Sequence, residues 1–376
     1  MKLPLLALLL GTASLGHAQT PTPFELKGQL HKIPGPAVVY LLREGVQLGT
    51  KADSAVVTNG AFLLRGTTSA PTKARLVLVQ RGNKRRMRTR QADDATFYLE
   101  KGTTVFNSPD SLVHTTITGS ALTAQYRELT AQLKPSNAQL EALYAQFRAA
   151  TPEQRTALEK QTDALEESQK GLFAAYVKAH PNTIVSLDAV EQLGGAVPNY
   201  AAVAPLFALL APAVKATPDG QAYAARLQAL QRVSIGAQAP DFTLTTPEGK
   251  PVGTPGALSS LRGKYVLVDF WASWCGPCRR ENPNVAAVYQ TYKDRNFEIL
   301  GVSIDVERNR AQWLKAIADD KLTWPQISDL RQDNEAARLY SVQAIPQNFL
   351  IDPTGKIVAT NLRGDELKAT VARFIP

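Results

Sequence analysis

A chain of 376 residues, 44% hydrophobic, 7% aromatic and 20% charged, is too long for one core and predicts two or three domains. Its net charge of +9 bounds solubility and non-specific binding rather than fold. A nucleic-acid binder is excluded: six of the positive residues cluster in Arg81–Arg90, but no recognition fold or interleaved aromatics accompany them.

In chain order, Met1 to Ala18 carries one early lysine (Lys2), an apolar run from Leu3 to Leu10, and small residues around Gly16-His17-Ala18. This predicts a secretory signal peptide over 1–18, cut before Gln19. The run is too short to span a bilayer, and no cysteine follows it to carry a lipid anchor. Export to the periplasm or cell envelope is therefore expected, an oxidising compartment.

Residues 22–112 hold short alternating or apolar runs: Phe24–Leu30, Ala37–Leu42, Ser54–Val57, Ala61–Arg65, Ala74–Gln80 and Ala95–Leu99. Turn residues at Pro34-Gly35-Pro36, Asn59-Gly60 and Gly82-Asn83 separate them. Even spacing of this kind predicts an antiparallel β-sandwich, with Arg81–Arg90 as a solvated hairpin. No catalytic constellation occurs in it; a docking module, a dimer contact and a stabilising spacer all fit.

Residues 118–232 change to Ala, Leu, Gln and Glu with helical spacing: Leu122, Tyr126, Leu129, Leu133, then Leu140, Leu143, Tyr144 and Phe147. Ser136 and Thr151-Pro152 read as helix starts. A helix from Pro152 to about His180 and shorter ones through Leu230 follow. The stripes read as packing faces, or as an arm that dimerises the chain.

Residues 233–376 alternate strands and helices. A linker from Gly236 enters a hairpin turning near Pro247-Glu248-Gly249, and Leu258–Leu261 lead to a strand over Tyr265–Phe270. A helix begins after Gly276 and should kink at Pro283. Next come a strand (Phe297–Ile304), helices (Arg308–Asp319 and Asn334–Tyr340), strands (Gln347–Ile351 and Lys356–Thr360) and a closing helix (Glu366–Phe374). This order predicts an α/β sheet covered on both faces.

Both cysteines of the chain, Cys275 and Cys278, stand at the junction of the Tyr265 strand with its helix. A zinc site would need two further ligands, and His31, His114 and His180 are scattered without ligand spacing. A structural disulfide at this spacing closes too small a loop to stabilise much. A redox dithiol is the reading that remains. Cys275 at the helix N-terminus has unpaired N–H groups and the helix dipole to favour its thiolate, which makes it the attacking sulfur. Cys278, one turn further in, resolves the mixed disulfide. Pro277 suits the first helical turn, where a missing N–H costs nothing.

Trp274-Cys-Gly-Pro-Cys278 after Val268-Asp-Phe-Trp271, with Ile345-Pro346 downstream, resembles thioredoxin. The segment from Ile235 to Pro376 is similar to the TlpA/ResA-type thioredoxin-like proteins, relatives of the peroxiredoxins, which carry an extra αβ unit before the position of Ile345. The β region resembles a domain of unassigned function found ahead of such domains in envelope proteins of Bacteroidetes-type bacteria. The resemblance implies that Pro346 is the family's cis-proline, opposite the dithiol, leaving the backbone at Ile345 free to pair with an extended substrate. It matches Asp269 to thioredoxin's buried aspartate, which accepts the proton of the second cysteine. Burial would raise its pKa toward that of a working general base. Glu281 matches an active-site glutamate of the ResA-like group, which usually has a non-acid where Asp269 stands, so the chain combines two patterns. The alternative for Glu281 is a carboxylate that merely complements the helix dipole. Trp271 and Trp274 match the tryptophans flanking the dithiol, Trp271 with core packing as its alternative. Arg279 and Arg280, which follow the dithiol, read as solvated, with stabilisation of the thiolate as their alternative. Trp274, Gly276, Pro277, Ile345 and Pro346 are thus the expected client-binding residues.

The resulting expectation is an exported thiol:disulfide oxidoreductase that reduces client disulfides, with a role in cytochrome c maturation or a related pathway. Gly276-Pro277 is thioredoxin's dipeptide and leans toward reducing power. No nicotinamide or flavin fingerprint occurs, so no cofactor is expected, and a membrane thiol donor of the DsbD/CcdA type would recharge the dithiol. A homodimer through the N-terminal or helical region is the further partner expected. The alternatives are a disulfide oxidase or isomerase and a redox-sensing binding module. A peroxidase is disfavoured, because peroxiredoxins place Pro and Thr/Ser where this chain has Val268 and Ala272.

Overall fold

The computed structural model describes residues 20–33, 35–43, 52–80, 92–147, 149–250 and 258–375. The expected leader (1–18), Pro34, the basic run 81–90 with its turn at Gly82-Asn83, and the returning arm of the hairpin after Pro247 (251–257) lie outside the described residues. Two compact units divide the chain between Ala138 and Gln139.

In the first unit, β1 (Thr22–Leu30), β4 (Ala61–Thr68), β7 (Gly102–Ser108) and β8 (Thr116–Thr118) form one four-stranded sheet in the order β4-β1-β7-β8. The second sheet is antiparallel throughout. It takes β2 (Ala37–Arg43), β3 (Asp53–Val57), β5 (Thr72–Gln80) and β6 (Asp93–Leu99) in the order β3-β2-β5-β6. In the first sheet β1 pairs antiparallel with β4 and parallel with β7. Alternation drives the pairing of faces, because successive strand side chains point to opposite sides. Phe24, Leu26 and Leu30 of β1, Phe62 and Leu64 of β4, Leu76 and Leu78 of β5, and Phe97 of β6 enter one shared core. Each such side chain, fully buried, stabilises the sandwich by about 1.5–3 kcal/mol. Gly28 is required there: a Cβ would stand 1.7 Å from the Phe62 ring.

β7 and β8 were not among the expected strands. The inward positions of β7 are Thr104, Phe106 and Ser108, so its apolar alternation is broken by two buried polar residues. The chain then enters α1 (Ala121–Phe147) at Ser120. The Ser120 hydroxyl accepts the Thr123 N–H at 3.1 Å, and Thr123 Oγ1 accepts the Tyr98 N–H at 3.0 Å, tying the helix start to β6.

α1 continues through Pro135, and Ser136 is not a helix start: its hydroxyl donates back to the Leu133 carbonyl at 2.9 Å. A proline inside a helix costs about 3 kcal/mol, and the buried Leu129, Leu133, Leu140 and Leu143 offset it. In the second unit, α2 (Pro152–Ala179) begins with Thr151 in a complete capping box with Gln154. It is followed by α3 (Ile184–Gly194), α4 (Tyr200–Leu209), α5 (Pro212–Lys215) and α6 (Pro218–Gln231). Thr183, Asn199 and Thr217 cap α3, α4 and α6, satisfying backbone N–H groups the helices leave open.

The remaining elements are β9 (Tyr265–Trp271), α7 (Gly276–Tyr292), β10 (Phe297–Ser303), α8 (Arg310–Asp319), β11 (Gln326–Ile327), α9 (Glu335–Leu339), β12 (Gln347–Ile351), β13 (Ile357–Thr360) and α10 (Gly364–Phe374). They build a five-stranded sheet in the order β11-β10-β9-β12-β13. β9 and β11 run parallel to β10, while β12 is antiparallel to β9 and β13. This is the expected α/β thioredoxin fold, preceded by a β-sandwich and a helical region. β9 lies at the centre and is buried on both faces. Val266, Val268 and Phe270 join the core on one side; Leu267 and Trp271 join the other, with α7 and α10. Asp269 has the parity of Leu267 and Trp271, so it points toward α7 and α10. Around Pro247 the structure forms a turn, with the Gly249 N–H donating to Thr246 O at 2.9 Å. Pro283 sits inside α7, which continues to Tyr292. Among the described residues no helix is long and apolar enough to cross a membrane.

Candidate active site

The site grows from the end of β9. After Trp271 the chain leaves the sheet through Ala272, Ser273 and Trp274, and α7 starts at Gly276 with Cys275 as its N-cap. The Cys275 N–H donates to Ala272 O at 3.1 Å, closing a turn that delivers the cysteine to the helix end. Its sulfur accepts the Cys278 N–H at 3.2 Å, so one of the open N–H groups of α7 already points at Sγ. Pro277 occupies the first turn without forfeiting a hydrogen bond.

Cys275 and Cys278 are joined by a disulfide, with Cα atoms 5.3 Å apart. Both are buried, Cys278 the more deeply at 1% exposure against 4%. Beside them Trp274 is 60% exposed, and Gly276 and Pro277 are exposed as well. These three residues form an exposed rim beside the disulfide. Trp271, by contrast, is buried and donates Nε1–H to Gln326 Oε1 at 3.0 Å, a packing role.

The Ile345–Pro346 peptide bond is cis. Ile345 packs against the cluster that contains both cysteines. Asp269 is buried, and desolvation pushes its carboxyl up to about 6; the nearby Arg363 charge opposes that rise and Glu281 adds to it. Glu281, half-buried on α7, accepts the Gly364 N–H at 2.8 Å through Oε1 and the Asn284 side-chain N–H at 3.3 Å through Oε2. The structure therefore brings the two acids into one electrostatic neighbourhood, beneath the N-terminus of α10.

Three residues that sequence reasoning missed or misread stand around the dithiol loop. Arg363 donates to the carbonyls of Leu362, at 2.6 Å, and of Pro346. Asp305 is fully buried and accepts from the backbone and hydroxyl of Ser273 and from the hydroxyl of Ser303. Arg279 was expected to be solvated; instead its guanidinium grips Asp320 through Nε and Nη2, the latter at 2.7 Å, and also donates to Ser273 O at 3.3 Å. A bidentate carboxylate partner outcompetes water for a half-buried guanidinium. Arg280, on the outer side of the turn, is exposed as expected. No local motif announces the pairings of Arg363 with Pro346, Asp305 with Ser273 and Arg279 with Asp320, which lie 17, 32 and 41 residues apart in sequence.

Among the described residues no group of three or more His, Cys, Asp or Glu could hold a metal ion. What the arrangement can do is exchange a disulfide: a helix N-terminus favours a thiolate at Cys275, and a second sulfur lies within bonding distance.

Residues 235–360 match the model of the AhpC/TSA family, and residues 24–126 match a domain of unknown function (DUF4369). The thiol-disulfide oxidoreductase ResA of Bacillus cereus is 30% identical over 145 residues, covering 39% of this chain and 79% of that protein. ResA of Geobacillus kaustophilus is 38% identical over 125 residues, covering 33% of this chain and 67% of that protein. Among solved structures, the thioredoxin domain of a thiol-disulfide oxidoreductase from Bacteroides vulgatus is similar at 40% identity. That match covers 38% of this chain and 99% of the other, with a TM-score of 0.35.

Proposed function

The chain belongs to the ResA-type thiol-disulfide oxidoreductases, and from that premise we propose that it is an exported reductase of client-protein disulfides in the cell envelope. The observation that carries this reading is the Cys275–Cys278 disulfide at the N-terminus of α7, rimmed by exposed Trp274, Gly276 and Pro277.

In the reduced protein the Cys275 thiolate attacks one sulfur of a client disulfide. The client's S–S bond breaks, a Cys275–client bond forms, and the first client thiolate leaves. Asp269, as a carboxylate, then takes the proton from the Cys278 thiol. The Cys278 sulfur attacks Sγ of Cys275 and expels the second client thiolate. The client gains two electrons, the protein is left as the disulfide, and the client thiolates take up protons from water. Glu281 assists through its charge. Trp274, Gly276, Pro277, Ile345 and Pro346 hold the client segment.

The same reading places the protein in the periplasm through a leader at 1–18. A membrane thiol donor of the DsbD/CcdA type returns the two electrons, and apocytochrome c belongs to the client class. Residues 22–112 form the N-terminal module and 118–232 the helical link to the catalytic domain at 233–376; one of these first two holds a second copy of the chain.

The test is trapping. Cys278→Ser should accumulate a mixed disulfide with a disulfide-bonded client such as insulin, and Cys275→Ser should not. Failure of the wild-type protein to speed insulin reduction by dithiothreitol would contradict the reading.

A further inference from the structure

The turn Asn361–Gly364, between β13 and α10, is fastened on both sides to the elements that carry the dithiol chemistry. On one side lies Asn348 of β12, fully buried and in register with Asp269 on β9. Its side chain donates to Leu362 O at 2.9 Å and accepts the Leu362 N–H at 2.8 Å, while its own carbonyl accepts the Asn361 N–H at 2.8 Å. On the other side, the Gly364 N–H reaches Glu281 on α7. Between these anchors stands Arg363, whose guanidinium donates to the carbonyl of Pro346.

We propose that Arg363 is a positioning residue of the dithiol site: it holds the Pro346 carbonyl and presents one positive charge to both Asp269 and Glu281. The proposal rests on Asp269 as the proton acceptor for its catalytic meaning, but its electrostatic part stands without that role.

Among the described residues the charged groups around Asp269 are few. From the turn comes Arg363, from α7 comes Glu281, and from α10 Glu366 acts on Arg363. The strands beside Asp269 place Gly301 of β10 and Asn348 of β12 opposite it, neither of which titrates. At this end of α7 the two cysteines are bonded to each other, Arg279 is held by Asp320 and Arg280 is exposed. A second carboxylate in a low-dielectric region disfavours the ionisation of Asp269, and the Arg363 guanidinium opposes that effect. A long side chain held at Pro346 O keeps that charge in place.

Charge and fork separate by substitution. Arg363→Gln removes the charge and keeps an N–H donor; Arg363→Lys keeps the charge and loses the planar fork. Glu281→Gln removes the opposing carboxylate and keeps an acceptor for the Gly364 N–H.

The experiment follows the 13C resonance of the Asp269 carboxyl against pH in the oxidised protein, where neither cysteine titrates. From a wild-type midpoint of about 6, Arg363→Gln should move it up by about one pH unit. Glu281→Gln should move it down, and Arg363→Lys should leave it near wild type. In insulin reduction, Arg363→Lys should raise KM with kcat little changed, because the client-side Pro346 carbonyl has lost its fork. If Arg363→Gln does not fold, Arg363→Met repeats the charge test.

A midpoint unmoved by loss of the charge, or moved equally by Lys and Gln, overturns the proposal. Failure of the proton-acceptor reading looks different: Asp269→Asn would then reduce insulin with the wild-type pH profile, whatever the titrations show.

Discussion

The carboxylate of Asp305 accepts both the backbone N–H of Ser273, at 2.8 Å, and its hydroxyl, at 2.7 Å. Ser273 lies two residues before Cys275, and Asp305 lies just beyond β10, so the pair ties the dithiol loop to the neighbouring strand. Asp305→Ala would leave buried donors of Ser273 and Ser303 without an acceptor. A loss of about 2–4 kcal/mol in urea unfolding is expected, together with slower insulin reduction. A loss below about 0.5 kcal/mol, within the range of an ordinary surface change, would mean that the loop does not depend on this strap.

Asp269 carries a pH signature in stability. Its folded carboxyl is pushed up to about 6, above the ordinary value near 3.9 in an unfolded chain. Between those values the folded state binds more protons than the unfolded state, so stability contributed by this group is present at low pH and is lost as pH rises through 6. Asp269→Asn removes that dependence. Relative to wild type, the variant should gain about 2 kcal/mol between pH 4 and pH 7, read from urea melts at each pH. A difference flat in pH would show that Asp269 is ordinary in its titration.

The two acids should differ in catalysis. Asp269 is buried beneath the helices, whereas Glu281 is fastened to Gly364 and Asn284. Asp269→Ala is therefore expected to slow insulin reduction at neutral pH more than Glu281→Ala does. The general-base contribution at stake is on the order of 10²-fold. Equal or reversed effects would reassign the proton transfer.

Arg279, Asn282 and Asp320 link α7 to the end of α8, with Asn282 donating to Asp320 at 2.5 Å. Arg279→Met and Asp320→Ala, combined in a double-mutant cycle, should show a coupling of about 1–2 kcal/mol. A coupling near zero would mark the pair as a solvated contact.

Much of the fold was legible because its signals are local. The strand expected over Gln347–Ile351 became β12 with those bounds, and Thr151-Pro152 opened α2 through a capping box. The two-residue β11 is too short to show periodicity, and β7 hides behind buried Thr104 and Ser108. Ser136 misled because packing along α1 outweighs the local cost of Pro135. At the site, Cys275 and Cys278 announce themselves by spacing. The side chains around them do not: Ser273 meets Asp305 across 32 residues, and Glu281 meets Gly364 across 83. Such pairings depend on which strands become neighbours, and only the sheet order reveals them.

The most direct test of the reductase account is the reduction potential of the Cys275–Cys278 pair, equilibrated against a glutathione or dithiothreitol series. The account predicts a value near thioredoxin's, about −270 mV. A value near about −120 mV, the range of strong oxidants, would contradict it and make the protein a former of disulfides.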